Sequence, residues 1–146
     1  IFTGDSFGIS YPCLKQGSYP FLFPSTTPTD FHADEARLSI EKILNTKADN
    51  AYLTHFDIWL DMKSGSEQML LGIDRMEKIF LDLVKSNKPD SELQTQCENQ
   101  IMNFYEEEFS KRKIPLSVLT FLKPDAMINA QGLVFAANRA RKKGTI

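Results

Sequence analysis

Two residues with chemically versatile side chains each follow a short run of β-prone residues. Asp5 comes after Ile1-Phe2-Thr3-Gly4, and His55 comes after Ala51-Tyr52-Leu53-Thr54. The end of a strand is a rigid position that aims a side chain into a cleft. There an aspartate can bridge two metal ions, and a histidine can act as a metal ligand or general base. Each residue also fits an ordinary role, Asp5 as a turn residue and His55 as a hydrogen-bonded core histidine.

Three further residues are candidates for lining the same cleft or orienting its ligands. Thr54 and Asp57 flank His55 closely in sequence, and Tyr11 opens a long loop that can form a wall of the cleft. Asp57 and Asp61 stand on either side of Trp59, so both can act as groups that orient His55. The alternative is that these carboxylates are solvated loop residues and that Trp59 is a packing residue.

Familiar catalytic motifs are missing from the sequence, which contains no P-loop, GxGxxG, nucleophile elbow or CxxC. The other histidine, His32, precedes a predicted helix, where we expect an exposed residue. Two histidines without clustered ligands cannot complete a closed zinc site. We expect Cys13 and Cys97 to be free thiols in a reducing cytoplasm, with one long-range disulfide as the alternative.

The composition is that of an ordinary globular protein. The chain has 146 residues, of which 42% are hydrophobic and 25% charged, and its formal net charge is −2. This balance excludes intrinsic disorder and argues against a general nucleic-acid or membrane-surface partner. No apolar run approaches the length of roughly 18 to 20 residues that a membrane span needs.

The pattern of elements changes near residue 62. Before it we expect a short strand ending at Asp5, a proline-rich irregular loop over 11–30, a helix over 33–46 capped by Asp30, and a buried strand over 50–56. After it, the apolar residues recur at the spacing of a helix. Capping boxes at 64–67 and 91–94 predict the starts of two helices, and Asp125 is predicted to cap a third. The sequence therefore divides into an α/β part, 1–62, and a helical part, 63–146.

The helices carry apolar stripes at helical spacing, which predict the core. The predicted core positions are Ala36, Ile40, Ile43 and Leu44 in the first helix; Met69, Ile73, Met76, Phe80 and Leu83 in the second; Leu93, Cys97, Ile101, Phe104, Tyr105 and Phe109 in the third; and Ala126, Ala130, Leu133, Val134 and Ala137 in the last. The acidic run 106–108 is predicted to be a solvated face.

Several of these segments together resemble the metallo-β-lactamase superfamily. Phe2-Thr3-Gly4-Asp5-Ser6 resembles the Thr-Gly-Asp strand end of that family, and Thr54-His55-Phe56 resembles its later Thr-His-Phe. Residues 24–31 are similar to a segment that precedes a helix in one branch of the family, and residues 129–133 resemble the final helix of that branch. Asp57 stands where family members often carry glycine.

The resemblance implies a fold and an activity. The chain is expected to be the second half of an αββα sandwich followed by about three helices. Asp5 and His55 are then ligands of a two-metal centre that holds zinc, iron or manganese, and a metal-activated hydroxide attacks a small-molecule substrate. The His-x-His-x-Asp-His motif of the family is absent here. We therefore expect it in a missing N-terminal half and expect the isolated chain to be inactive.

A second class of function remains open at this point. The helices can instead form a non-catalytic interaction or oligomerisation module that pairs with another chain. A truncated first strand exposes an edge that invites pairing across chains, and half of a sandwich leaves an apolar face uncovered. We therefore expect the chain to form homo-oligomers under either hypothesis.

Overall fold

The computed structural model describes residues 1–15, 19–26, 31–55 and 58–143, which form a mostly helical α/β domain. Its strands are β1 (Phe2–Gly4), β2 (Ala51–Leu53) and β3 (Ile58–Trp59). Its α-helices are α1 (Ala33–Asn45), α2 (Met62–Lys85), α3 (Asp90–Arg112) and α4 (Lys123–Lys143), and short 3-10 helices cover Asp5–Phe7, Pro12–Lys15 and Leu116–Leu122. The predicted order of strand, helix, strand and then three helices is confirmed.

The three strands form one mixed sheet in the order β1-β2-β3. β1 and β2 are parallel, with Phe2 opposite Tyr52 and Gly4 opposite Leu53, and α1 makes the connection between them. β3 returns antiparallel to β2 and places Trp59 opposite Ala51. The sequence predicted no strand at the residues of β3. A strand of two residues has no period of its own and exists only through its pairing with β2.

The two faces of the sheet differ in burial. Ala51, Leu53 and Trp59 are buried against α1 and the first turns of α2. Phe2 and Tyr52 lie on the other face, stacked with ring centroids 5.0 Å apart, and Phe2 is 85% exposed. The prediction of a buried strand is therefore half correct, because β2 is covered on one face only.

The predicted helix caps differ from the observed ones. α2 begins before the expected capping box at 64–67, because the Asp61 carboxylate accepts a hydrogen bond from the Ser64 N–H at 2.9 Å. Asp61 is thus a capping residue. α3 begins at Asp90 after Pro89, so the second box, at 91–94, lies inside the helix. In both helices the observed cap, Asp61 or Pro89, lies two or three residues before the serine that was predicted to begin the capping box.

The observed starts of α1 and α4 also differ from the predicted caps. His32 holds the cap position of α1, makes no side-chain capping hydrogen bond and is exposed, as expected of it; Asp30, the predicted cap, lies outside the described residues. α4 begins at Lys123, so Asp125 lies within its first turn and the prediction of Asp125 as the preceding cap is wrong. Its carboxylate is consequently available for another partner.

The helical stripes form the core largely as predicted. All six predicted positions of α3 are buried, as are Met69, Ile73, Met76 and Leu83 of α2 and Ala126, Ala130, Leu133 and Ala137 of α4. Phe21 and Phe23, from the loop that precedes α1, pack into the same cluster between α2, α3 and α4. Leu44 of α1 is 37% exposed, so that part of the predicted stripe is wrong.

One predicted surface position is buried. Glu108 is 2% exposed, where its carboxylate pairs with Arg112 at 3.0 Å and Lys111 at 2.7 Å. Burial lowers the pKa of Arg112, and the charge of Glu108 opposes that shift. The prediction that the whole run 106–108 is solvated is therefore wrong at its last residue. The guanidinium of Arg112 also lies over the ring of Phe21, so this pair helps to hold the loop on α3.

Buried Asn129 of α4 fastens the loop to the helices. Its amide nitrogen donates to the Pro24 carbonyl and the Tyr105 hydroxyl, each at 3.1 Å, and its side-chain oxygen accepts from the Thr26 N–H at 2.8 Å. The Thr26 hydroxyl in turn donates to the Asn129 carbonyl at 2.8 Å. These bonds fix the stretch that later forms one wall of the candidate site.

Two expectations from composition can be compared with the structure. Cys13 and Cys97 are both free cysteines, as predicted. Among the described residues, no helix is long and apolar enough to cross a membrane.

Candidate metal centre

The structure brings together the two residues predicted to be metal ligands. Asp5 and His55 follow the ends of β1 and β2, and because these strands are parallel neighbours, both residues lie at the same edge of the sheet. Asp5 Oδ1 lies 3.4 Å from His55 Nε2. Both side chains are partly exposed, at 39% for Asp5 and 49% for His55, so a ligand can reach them from solvent.

One atom of this pair accepts no hydrogen bond. Asp5 Oδ1 is buried and has no hydrogen-bond donor within the described part of the chain, although His55 Nε2 lies 3.4 Å from it. A buried carboxylate oxygen without a donor is uncommon, because its lost hydration is not replaced. A bound cation would supply the missing partner, and an aspartate and a histidine are donors suited to zinc, iron and manganese. The residues present therefore fit a metal ion.

Glycines shape the turn that presents Asp5. Gly4 has a φ of 57° and Gly8 a φ of 84°, backbone angles that residues other than glycine rarely adopt. The intervening 3-10 helix, Asp5–Phe7, buries Phe7 completely beneath the sheet. The backbone reversal at Gly4 and the buried anchor of Phe7 together direct Asp5 to the sheet edge.

A second carboxylate, Asp125, faces the same region from α4. The Tyr11 hydroxyl donates to Asp125 Oδ1 at 2.7 Å, although the two residues lie far apart in sequence. Burial raises the pKa of Asp125, while the hydrogen bond from Tyr11 and the nearby charge of His55 act in the opposite direction. Burial and the bonded carboxylate also raise the pKa of Tyr11 above its usual value. Asp125 therefore connects Tyr11 electrostatically with His55.

The other predicted cleft residues have different outcomes. Tyr11 donates a hydrogen bond to Asp125, whose carboxylate interacts electrostatically with His55. Thr54 is exposed, and its hydroxyl oxygen lies 4.0 Å from the position that a Cβ on Gly4 would occupy. Asp57 lies outside the described residues. Trp59 is a packing residue, as its burial shows, and its indole nitrogen donates to the Asp61 carbonyl at 2.7 Å.

Asp125 is the residue that the sequence reasoning missed. Its position after Pro124 indicated a helix start, which accounts for an aspartate without any further role. The further role of Asp125 is visible only from its hydrogen bond with Tyr11, a contact that exists only in the folded chain.

A cavity of about 260 Å³ opens beside Asp5. Its walls come from the loop at Pro24, Ser25 and Thr26 and from the start of α1 at His32 and Glu35. This agrees with the expectation that the loop walls a cleft, and the hydrogen bonds from Asn129 hold that wall in place.

The set of metal-binding side chains is small. Across residues 1–15, 19–26, 31–55 and 58–143, no group of three or more histidine, cysteine, aspartate or glutamate side chains is arranged to hold a metal ion. Asp5 and His55 are thus a pair of candidate ligands and do not make a complete set by themselves. Comparisons with protein-family models, with curated proteins and with solved structures found no match for the chain.

Proposed function

We propose that this chain supplies Asp5 and His55 as ligands to the metal centre of a metal-dependent hydrolase of the metallo-β-lactamase superfamily. The observation that carries the proposal is the distance of 3.4 Å between Asp5 Oδ1 and His55 Nε2 at the ends of two parallel strands. The buried Oδ1 of Asp5 supports it, because this oxygen accepts no hydrogen bond in the described part of the chain and a cation would replace its lost hydration.

The remaining ligands, in this proposal, come from a further N-terminal half of the same protein. Two ligands are too few for a catalytic site, in which three or more protein groups hold each ion in most cases. The sheet supports this view as well. Phe2 and Tyr52 are exposed on the face away from α1, and β1 pairs with β2 alone among the described strands. A second sheet packed on that face would bury both aromatic rings.

The residues of this chain have distinct roles in the proposed hydrolase. Bound divalent ions activate water and polarise the bond that is cleaved. Asp5 and His55 bind the metal, and the hydrogen bond from Tyr11 holds the Asp125 carboxylate in one orientation near His55. The loop wall at 24–26 lines the cavity beside Asp5. The substrate is a small molecule with a hydrolysable group, such as an ester, thioester, lactam or phosphodiester.

Metal analysis tests the proposal without knowledge of the substrate. Protein expressed from the complete reading frame is expected to contain about two transition-metal equivalents, and the 146-residue chain is expected to contain none. In the longer form, Asp5→Asn and His55→Ala are each expected to lower the metal content to about one equivalent or less.

A matched substitution separates ligand loss from a general effect. Asp49→Asn changes an exposed aspartate before β2, at the opposite end of that strand from His55. This variant is expected to retain the full metal content. Absence of metal from both forms, or full retention in Asp5→Asn and His55→Ala, contradicts the proposal.

The uncovered sheet face also favours the second candidate, an interaction module. Phe2 is 85% and Leu60 68% exposed, and apolar side chains of this kind mark association surfaces. Sedimentation of the 146-residue chain tests this function. Association with rising concentration, together with a lack of metal in the longer form, favours the module. A stable monomer at high concentration counts against it.

A further inference from the structure

The cavity beside Asp5 has a buried interior and an open mouth. We call this space, of about 260 Å³, the Asp5 cavity. Pro24, Met69 and Ile73 line it and are buried, whereas Glu35 is exposed and Asp5 is partly exposed. These three buried residues are apolar, and the two residues at the mouth carry carboxylates. A depression that is apolar inside and has a few polar groups at its entrance is typical of sites that bind small molecules.

Asp5 belongs both to the Asp5 cavity and to the candidate metal centre. It lines the cavity, and its Oδ1 lies 3.4 Å from His55 Nε2. A group bound in the cavity is therefore beside the place where a metal ion would be held. Ser6 and Ser25 line the same cavity, and their hydroxyls can form hydrogen bonds with polar atoms next to such a group.

Close contacts between elements hold the walls of the Asp5 cavity. Pro24 packs so tightly on α2 that a Cβ at Gly72 would lie 2.5 Å from the proline Cδ. Met69 packs in the same way on Gly8, where an added Cβ would overlap the methionine sulfur. The Pro24 carbonyl also accepts a hydrogen bond from the amide of Asn129. Because walls packed in this way have little freedom to move, the cavity is preformed and its volume limits what it admits.

The volume of the cavity sets the size of the group that fits. A protein cavity of about 150 Å³ accommodates benzene, so by proportion the Asp5 cavity admits a group of about ten non-hydrogen atoms. A phenyl ring or a short branched alkyl chain is within this limit. The apolar interior favours such a group over a polar one, because a polar group buried there would lose its hydration.

We infer that the Asp5 cavity holds a compact apolar group of the substrate, of about ten non-hydrogen atoms or fewer, next to the bond that is hydrolysed. The part of this inference that concerns hydrolysis rests on the proposed function, whereas binding of the apolar group can be measured independently. Ala36 is the residue that determines specificity, because it has the smallest side chain among those that line the cavity. A larger residue at this position would exclude the group.

Benzyl alcohol is a neutral probe of the Asp5 cavity. Isothermal titration calorimetry on the protein expressed from the complete reading frame is expected to give a dissociation constant of about 1 mM, typical of a ligand with so few atoms. Methanol, which lacks the ring, should show no binding at the same concentrations. Ala36→Leu is expected to weaken benzyl alcohol by about tenfold or more, because each methylene group of space that is lost lowers the affinity about three- to fourfold.

Two further variants accompany Ala36→Leu. Ser39→Leu fills the cavity from the next turn of α1 and should weaken benzyl alcohol in the same way. Ala48→Leu is the matched control, because Ala48 is half-buried beyond the end of α1 and does not line the cavity. It should leave the affinity unchanged, and circular dichroism verifies that all variants are folded. Absence of benzyl alcohol binding, as when the N-terminal half fills the cavity, or equal affinity in all variants, overturns the inference.

A pair of hydroxamates connects the cavity with the metal. Hydroxamates bind transition metals through their oxygen atoms, so benzohydroxamate carries a phenyl ring beside the metal where acetohydroxamate carries only a methyl group. In metal-loaded protein, benzohydroxamate is expected to bind about tenfold or more tightly than acetohydroxamate, and Ala36→Leu should remove this gain. Equal affinities overturn the inference even if the metal content is as proposed. A metal-free protein that binds benzyl alcohol only when residue 36 is alanine contradicts the proposed function alone and supports binding of the apolar group.

Discussion

Replacing Asn129 with alanine is expected to destabilise the protein by about 3 to 5 kcal/mol. Its side chain is 2% exposed and connects α4 to Pro24, Thr26 and Tyr105 through three hydrogen bonds. Alanine removes all three bonds and leaves each buried partner without its amide. No nearby side chain of the same helix turn can replace them, because Ala130 and Leu133 are apolar.

The magnitude follows from the number of bonds. Removing one partner of a buried hydrogen bond and leaving the other unsatisfied costs about 1 to 3 kcal/mol, so three such losses near the low end of that range give about 3 to 5 kcal/mol. For a domain with a typical stability of about 5 to 15 kcal/mol, this is a large fraction of the total. Urea unfolding followed by circular dichroism measures the change as a shift in midpoint at constant slope.

A double-mutant cycle verifies the mechanism. Tyr105→Phe removes one partner of Asn129 and is expected to cost about 1 kcal/mol alone, but close to nothing when Asn129 is already alanine. Asn138→Ala is the control on the same helix; this residue is only half-buried, and the loss should be about 0.5 kcal/mol or less. A loss below about 1 kcal/mol for Asn129→Ala, or additivity with Tyr105→Phe, would refute the reasoning.

Three further predictions concern the core. Glu108→Ala should lower the free energy of unfolding by about 3 to 5 kcal/mol, because it leaves the buried guanidinium of Arg112 unpaired. The control Glu107→Ala changes a carboxylate that is 47% exposed and should lower it by about 0.5 kcal/mol or less. Similar urea midpoints for the two variants would contradict this prediction. Gly65→Ala should lower the stability by about 1 to 3 kcal/mol, because the added Cβ would lie 2.5 Å from the indole nitrogen of Trp59. An unchanged midpoint of thermal unfolding would contradict this prediction. Because burial raises the pKa of Cys97 to about 12, peptide mapping after iodoacetamide treatment at pH 8 should find label on Cys13 alone, and equal labelling would disprove the burial argument.

The sequence predicts those features that depend on neighbours along the chain. The apolar stripes of α2, α3 and α4 can be recognised from their spacing, because a helix brings residues three and four positions apart onto one face. The two strands that precede Asp5 and His55 are similarly visible as β-prone runs beside glycine or polar residues. Both candidate ligands were therefore identifiable before the fold was known, and the family resemblance implied that they share one centre, although the distance between them was not known.

The tertiary structure alone decided the features that depend on distant partners. β3 exists because it pairs with β2, and Glu108 is buried together with Arg112, whose guanidinium lies over the ring of Phe21 from the loop. Asp125 accepts a hydrogen bond from Tyr11 because the folded loop carries Tyr11 to α4. The distance between Asp5 and His55 likewise follows from the parallel pairing of β1 with β2. Side-chain types and local periods are properties of the sequence, whereas burial and proximity arise only when separated segments pack together.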